Sequence, residues 1–335
     1  MDTVAVARNA MATRFEIILH GAHAVSLRAA AEEALNEIER LDGQLSLYNS
    51  ASEISHLNAR AAHCPVRVEA TLFRLLQEAQ QLSRATDGAF DIAVGPLMRC
   101  WGLVGGRGKL PEPAEVAEAR ARAGMSLVEL NDQDFTIRFA REGVMLDLGS
   151  IGKGYALDRA SGLLREAGVT SGLLHGGTST VCAIGAPPDA EAWKVGVPHP
   201  DLAEQTVSRS GAPLNNVSEA GKLLAVVLLK DQAMSVSAVW GKSFEANGRV
   251  YGHVIDPRKG EPVAGAVLAA VVLPSATETD ALSTALLIDG AAGLDRLAGL
   301  RQEMRALVVC RGAKPDEFHV ESRGIQALNP GEGRL

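Results

Sequence analysis

The chain has 335 residues, 47% of them hydrophobic and 22% charged, a balance that fits a folded protein and excludes a disordered one. Its 33 basic and 40 acidic side chains give a net charge of −7, which argues against a nucleic-acid partner, because gripping a phosphate backbone takes a basic surface. Aromatic residues are only 4%, so the core has to be built from Ala, Val, Leu and Ile.

In chain order, Leu27, Ala31, Ala34, Ile38, Leu41 and Leu45 recur at three- and four-residue steps and predict a helix with one apolar face. Leu72, Leu75, Leu76, Ala79 and Leu82 predict a second, and residues 111–124, with Pro at the start and Gly at the end, a third. From about residue 125 the pattern shifts to short strands at 127–130, 135–139 and 144–148, then a glycine-punctuated segment opening a helix. Strands follow at 172–175, 180–184 and 193–197, and residues 198–221 read as a polar loop. Asn247-Gly248 predicts a two-residue hairpin turn, Ala266–Leu273 a buried strand, and 277–288 a helix with Thr279 as its cap. Helices and strands mix without a βαβ alternation, which makes the fold class α+β, a single unit with approximate lobes 1–124 and 125–335.

Cys64, Cys100, Cys182 and Cys310 lie too far apart for a zinc ribbon or a disulfide framework. The longest apolar runs, Leu223–Leu229 and Ala266–Leu273, fall far short of the ~20 residues of a membrane helix, so no membrane partner is expected. Residues 1–20 hold Asp2, Arg8, Arg14 and Glu16 and no signal-peptide core, which points to the cytoplasm; a processed exported form would read the same way.

Several segments can carry chemistry. In 147–158, Gly149, Gly152 and Gly154 join a strand to a helix, and Lys153 adds a charge where backbone amides can approach an anion. A plain strand–helix turn with a solvated lysine has the same pattern. Asp280 and Thr284, four apart, present hard oxygens on one helix face, as Mg²⁺ requires and as an ordinary acidic first turn also does. His253 follows a hairpin strand, where a histidine serves as a general base or a structural donor. Asp91 beside Phe90, and Tyr48 in a polar loop, offer a carboxylate and a flat ring. Together these suit metal-assisted chemistry on a nucleotide diphosphate.

The segments MATRFEI, LSLYNSASEISHLN, TDGAFDIAVGPLMRCWG, LDLGSIGKGYALD, LLHGG, YGHVIDPRKGEPV and ETDALSTALLIDG run co-linearly from residue 11 to about 290. They resemble the ApbE family of flavin transferases. The resemblance implies a two-lobed α+β fold with FAD and Mg²⁺ in the cleft between the lobes. It implies transfer of FMN from FAD, through a phosphoester, to a Thr or Ser hydroxyl of an acceptor flavoprotein, with release of AMP. By position it puts Met11, Tyr48, Ala89, Phe90, Asp91, Asp147, Lys153 and Ile255 at the flavin nucleotide, Ser150, Asp280 and Thr284 at the metal, and His253 and Ser237 at the transferred phosphate. Some family members hydrolyse FAD to FMN and AMP instead.

The chain also departs from the family. Where members usually carry Thr-Ser-Gly it reads Val236-Ser237-Ala238, with Val239 and Trp240 following, which narrows the polar options beside the phosphate. Thr178 replaces an Asp or Asn, Ala12 a Gly, and Lys259 a Thr. These changes keep open two alternatives: an FAD pyrophosphatase and a non-catalytic FAD-binding homologue. The absent signal peptide departs from the lipoprotein members and fits a cytoplasmic acceptor.

Overall fold

Every residue of Ala266–Leu273 is buried, because this strand lies inside an eight-stranded sheet with apolar layers on both faces. The computed structural model describes residues 1–200, 223–240, 243–314 and 317–328. Across the sheet the order is Asp2–Ala10, Thr13–Gly21, Gly172–Gly176, Thr180–Ile184, Ala233–Ala238, Ala266–Leu273, Arg305–Arg311 and Phe318–Arg323, each neighbouring pair antiparallel.

Side chains alternate between the two faces along each strand. Ile17, Leu174, Ala269, Val271 and Val308 enter the main core, which helices Ala24–Leu45, Gly152–Glu166 and Ala276–Asp289 cover. Leu173, Ala270, Val272 and Leu307 enter a second core, closed by the antiparallel pair Trp193–Pro198 and Leu223–Leu229. A buried central strand therefore reads as a continuous apolar run instead of an alternating one.

The smaller lobe packs helices Glu53–Arg60, Ala70–Ala85 and Pro113–Arg120 with a three-stranded sheet, in the order Val66–Arg67, Thr136–Phe139, Val128–Asn131. The expected cut at 124/125 falls between strands of this one sheet, and Asp2–Leu45 packs with the large sheet, so the packing draws the lobes differently from that division. A small third core of Leu97, Trp101, Ala119 and Ile255, flanked by Phe244 and Tyr251, joins the lobes, and Trp101 Nε1 donates to the Gly260 carbonyl at 2.8 Å.

Most predicted elements are present. Asn247 and Gly248 form the hairpin turn with φ of 51° and 72°, both left-handed as a type I′ turn requires. Two expectations need correction. Residues 144–148 form no strand: Asn58 holds the extended chain at Leu146, accepting from its N–H at 2.8 Å and donating to its carbonyl at 3.0 Å. The helix Ala276–Asp289 is capped by Ser275, whose hydroxyl accepts from Glu278 N–H, while Thr279 is buried in the first turn and donates to the Ala276 carbonyl. The polar stretch expected at 198–221 lies outside the described residues from 201 onward.

Candidate active site

Held by Asn58, the extended segment delivers Asp147 to a turn, where its Oδ1 accepts from Gly149 N–H at 2.9 Å. Ser150 lies half-buried in that turn, just before helix Gly152–Glu166, here the lysine helix. Lys153 sits in its first turn, with Nζ 3.3 Å from the Gly149 carbonyl and 3.3 and 3.4 Å from the two Asp280 carboxylate oxygens. Asp280 belongs to helix Ala276–Asp289, here the aspartate helix, and its side chain is only 5% exposed.

The two helices meet closely because Gly154 has no side chain. A Cβ there would run into the Ala276 carbonyl and lie 2.9 Å from Asp280 Cβ. The approach lets Gly154 N–H donate to Asp280 Oδ2 at 3.0 Å, so a backbone amide and an ammonium share one buried carboxylate.

One turn further along, Thr284 Oγ1 donates to the Asp280 carbonyl at 3.2 Å and lies 3.2 Å from Ser237 Oγ. Ser237 Oγ is also 2.9 Å from Ser283 Oγ, and Ser235 Oγ is 2.8 Å from Thr279 Oγ1. A seam of hydroxyls thus runs between strand Ala233–Ala238 and the aspartate helix. Val236 faces away from it, packing against the second core. Successive strand residues face opposite sides, so position 236 points away from the face that carries Ser235 and Ser237.

Two turns and the end of strand Ala233–Ala238 gather at the same end of the sheet. Met11 and Ala12 form the first hairpin turn with left-handed φ of 49° and 57°. Beside it, Gly177 N–H donates to the Arg14 carbonyl at 3.0 Å, in the turn that exposes Thr178. Val236 N–H donates to the Ser179 carbonyl at 2.7 Å, which sets Ser237 one residue beyond that row.

Tyr48 is 67% exposed in the loop after the first helix, and partial burial and the Asp147 charge raise its phenol above the ordinary range. Ala89 and Phe90 are fully buried. The Asp91 carboxylate is an internal tie, accepting from Ser83 Oγ, Ala93 N–H and Met125 N–H, each at 2.8 Å. Burial pushes its carboxyl above the usual range against the pull of those bonds. A pocket of about 280 Å³ bounded by Gly88, Asp91, Met125, Pro257 and Arg258 opens at this loop. The Ile255 side chain is spent in the third core, which leaves only its backbone for a ligand. His253 is half-buried between strands Arg249–Gly252 and Ile255–Asp256, and Gly252 abuts Val239 just past Ser237, a Cβ there falling 3.0 Å from the Val239 carbonyl.

Of the residues expected from the sequence, hydrogen bonds join Lys153, Asp280, Thr284 and Ser237 into one cluster. Asp158 and Ser283 serve the same cluster without having been singled out, and Gly154, expected as one of the turn glycines, does so by its close approach to Asp280. Asp158 is the last letter of the LDLGSIGKGYALD run, and its position one turn beyond Gly154 was the available signal.

The sequence model of the ApbE family matches residues 11–308. The FAD:protein FMN transferase of Haemophilus influenzae is 28% identical over 277 residues, covering 79% of this chain and 75% of its own length. That of Treponema pallidum is 29% identical over 281 residues, 80% and 73% of the two chains. The crystal structure of the ApbE protein from Thermotoga maritima superposes with a TM-score of 0.83 at 25% identity, over 96% of this chain and 97% of that one. The apo flavinyl transferase ApbE of Pseudomonas stutzeri gives 0.78 at 27% identity, over 96% and 95%. With the family match spanning most of the chain, this protein belongs to the ApbE family.

Proposed function

We propose that this protein transfers FMN from FAD to a Thr or Ser hydroxyl of an acceptor flavoprotein through a phosphoester bond, releasing AMP. The observation that carries the reading is the cluster of Lys153, Asp280, Thr284 and Ser237 where two helix N-termini meet. Relatives matched over most of their length are named FAD:protein FMN transferase, which supports the transfer of FMN to a protein.

The donor set fits Mg²⁺. Among the described residues no three His, Cys, Asp or Glu side chains gather, so a cation here rests on one carboxylate and neutral oxygens, a set that Mg²⁺ completes with waters and phosphates. Asp280 and Thr284 would hold it, with Ser150 contributing from the turn, and once bound it supplies charge neutralisation to the pyrophosphate of the substrate. Lys153 and the positive end of its helix dipole attract the same phosphates. Met11, Tyr48 and Asp147 line the nucleotide at the sheet end and the adjoining loop. Ala89, Phe90, Asp91 and Ile255 shape the flavin end, Asp91 by fixing its loop. Ser237 orients the phosphate that moves, and His253 takes the proton from the attacking hydroxyl. General-base assistance of this kind is worth roughly 10²–10⁴-fold. The substrate lies in the cleft between the lobes.

Incubation with FAD, MgCl₂ and a candidate acceptor flavoprotein tests the reading. The expected result is a fluorescent acceptor band on a denaturing gel and an added FMN mass, both lost with EDTA. AMP release without a labelled protein would select hydrolysis, and FAD binding without turnover a carrier.

A further inference from the structure

The first backbone N–H groups of a helix have no partners within it, and a carboxylate placed there both satisfies them and complements the helix dipole. In this site two helices exchange that service. Gly154 N–H of the lysine helix donates to Asp280 Oδ2 at 3.0 Å. Ala276 and Thr277 N–H of the aspartate helix donate to Asp158 Oδ1 and Oδ2, each at 2.8 Å. Asp158 also accepts from Ser275 Oγ at 2.9 Å and from Thr277 Oγ1 at 2.6 Å.

Asp158 lies four residues after Gly154, on the same face of its helix, so the two caps stand one turn apart. The aspartate helix has a cap of its own in Ser275, which accepts from Glu278 N–H at 3.2 Å. Four further bonds to one half-buried carboxylate therefore do more than start a helix. They fix the position of one helix against the other, and Gly154 permits that position only because it lacks a Cβ.

We propose that Asp158 is a positioning residue for Asp280 and Thr284. Its cap locks the register of the aspartate helix, so that Asp280 Oδ2 stays on Gly154 N–H and the rest of the carboxylate stays turned toward Lys153 and the bound cation. This rests on the reading of Asp280 and Thr284 as the metal pair. Without Asp158 the helix still forms, capped by Ser275, but slides against its neighbour.

The test compares Asp158→Asn, which is nearly isosteric, and Asp158→Ala with Glu278→Gln, which removes the ion pair to Arg301 on the same helical turn. Amide hydrogen exchange is measured on the metal-free proteins, and the Mg²⁺ concentration for half-maximal FMN transfer on the complete reaction. Both Asp158 variants should lose protection at the Gly154 amide, and their Mg²⁺ requirement should rise on the order of tenfold or more. Glu278→Gln should leave both readouts at wild-type values. A cap of purely structural value would expose the Ala276 and Thr277 amides while leaving Gly154 protection and the Mg²⁺ requirement unchanged, and that result overturns the proposal. Asp280→Ala distinguishes the underlying reading: full Mg²⁺-dependent turnover in that variant removes the metal assignment itself. Lost turnover there beside a wild-type Mg²⁺ requirement in Asp158→Asn removes this inference alone. If Asp158→Ala does not fold, Asp158→Asn decides.

Discussion

Single backbone positions around the site make opposite demands. Ala12 holds a φ of 57° in the first hairpin turn, where an L residue other than glycine is strained by roughly 1–2 kcal/mol. Glycine there relieves the strain but adds freedom to the unfolded chain, so Ala12→Gly should stabilise by a net of about 0.5–1 kcal/mol. Gly154 is the reverse case. Alanine would add about 1 kcal/mol of helix propensity. It would also press a Cβ into the Ala276 carbonyl and against Asp280, and overpacking of that kind costs about 3 kcal/mol. Gly154→Ala should therefore lower the urea midpoint while Ala12→Gly raises it, both with an unchanged m-value. A neutral Gly154→Ala would mean that the helices part without penalty, contrary to the close approach seen here.

Between elements, a chain of ion pairs links the Asp256 turn to the end of the aspartate helix and to the small lobe. Arg258 Nε lies 2.9 Å from Asp256 Oδ1, and its Nη2 lies 2.8 Å from Asp289 Oδ1. Arg296 pairs with Asp289 and donates to the Ala85 and Thr86 carbonyls at 3.4 and 3.5 Å. Burial raises the Asp256 carboxyl, but the Arg258 hydrogen bonds outweigh it and hold the group below its ordinary value of 3.8. A carboxyl depressed in this way adds stability above its unfolded pKa and loses it as pH falls through the folded one. Among the described residues, Arg258→Ala leaves Asp256 paired only with the exposed Lys259 at 3.7 Å and Asp289 only with Arg296, and should cost up to about 3 kcal/mol at pH 7. With Arg258 gone, burial dominates Asp256 and protonation relieves it, so the deficit should shrink toward pH 4. Urea unfolding at the two pH values checks this; an equal deficit at both would contradict it. None of this network was legible in the sequence, because Arg258, Asp289 and Arg296 are joined by folding and not by spacing. The helices were legible, since Leu27 to Leu45 and Leu72 to Leu82 carry their own period. Residues 144–148 misled because an Asn58 side chain, 88 residues away, supplies the bonds that a strand neighbour would have given. At 275–279 three hydroxyl residues, Ser275, Thr277 and Thr279, stand two apart, and the end of the preceding strand decides for Ser275. Lys153, Asp280 and Thr284 stood out by residue type, whereas Asp158, although it closes the LDLGSIGKGYALD run, acts through partners 117–119 residues away.

For the molecule as a whole, the main core contains Val4 from the first strand, Phe73 from the small lobe, Leu146 from the Asn58-held segment, Leu282 from the aspartate helix and Val308 near the far edge of the sheet. Strand Thr13–Gly21 pairs with Gly172–Gly176 across the whole small lobe, so neither lobe keeps a complete core if the other opens. Unfolding should then be one transition. Trp101 reports on the lobe junction and Trp193 on the second core, and variants retaining only one of them should give coincident urea curves. FAD with Mg²⁺ binds the native state at that junction in the proposed reading. Each tenfold increase of ligand above its Kd should therefore raise the stability by about 1.4 kcal/mol and move both curves together. A shift of the Trp101 curve with Trp193 unmoved would mean that the two cores melt separately, and that the lobes are tied by the ligand instead of by the shared core.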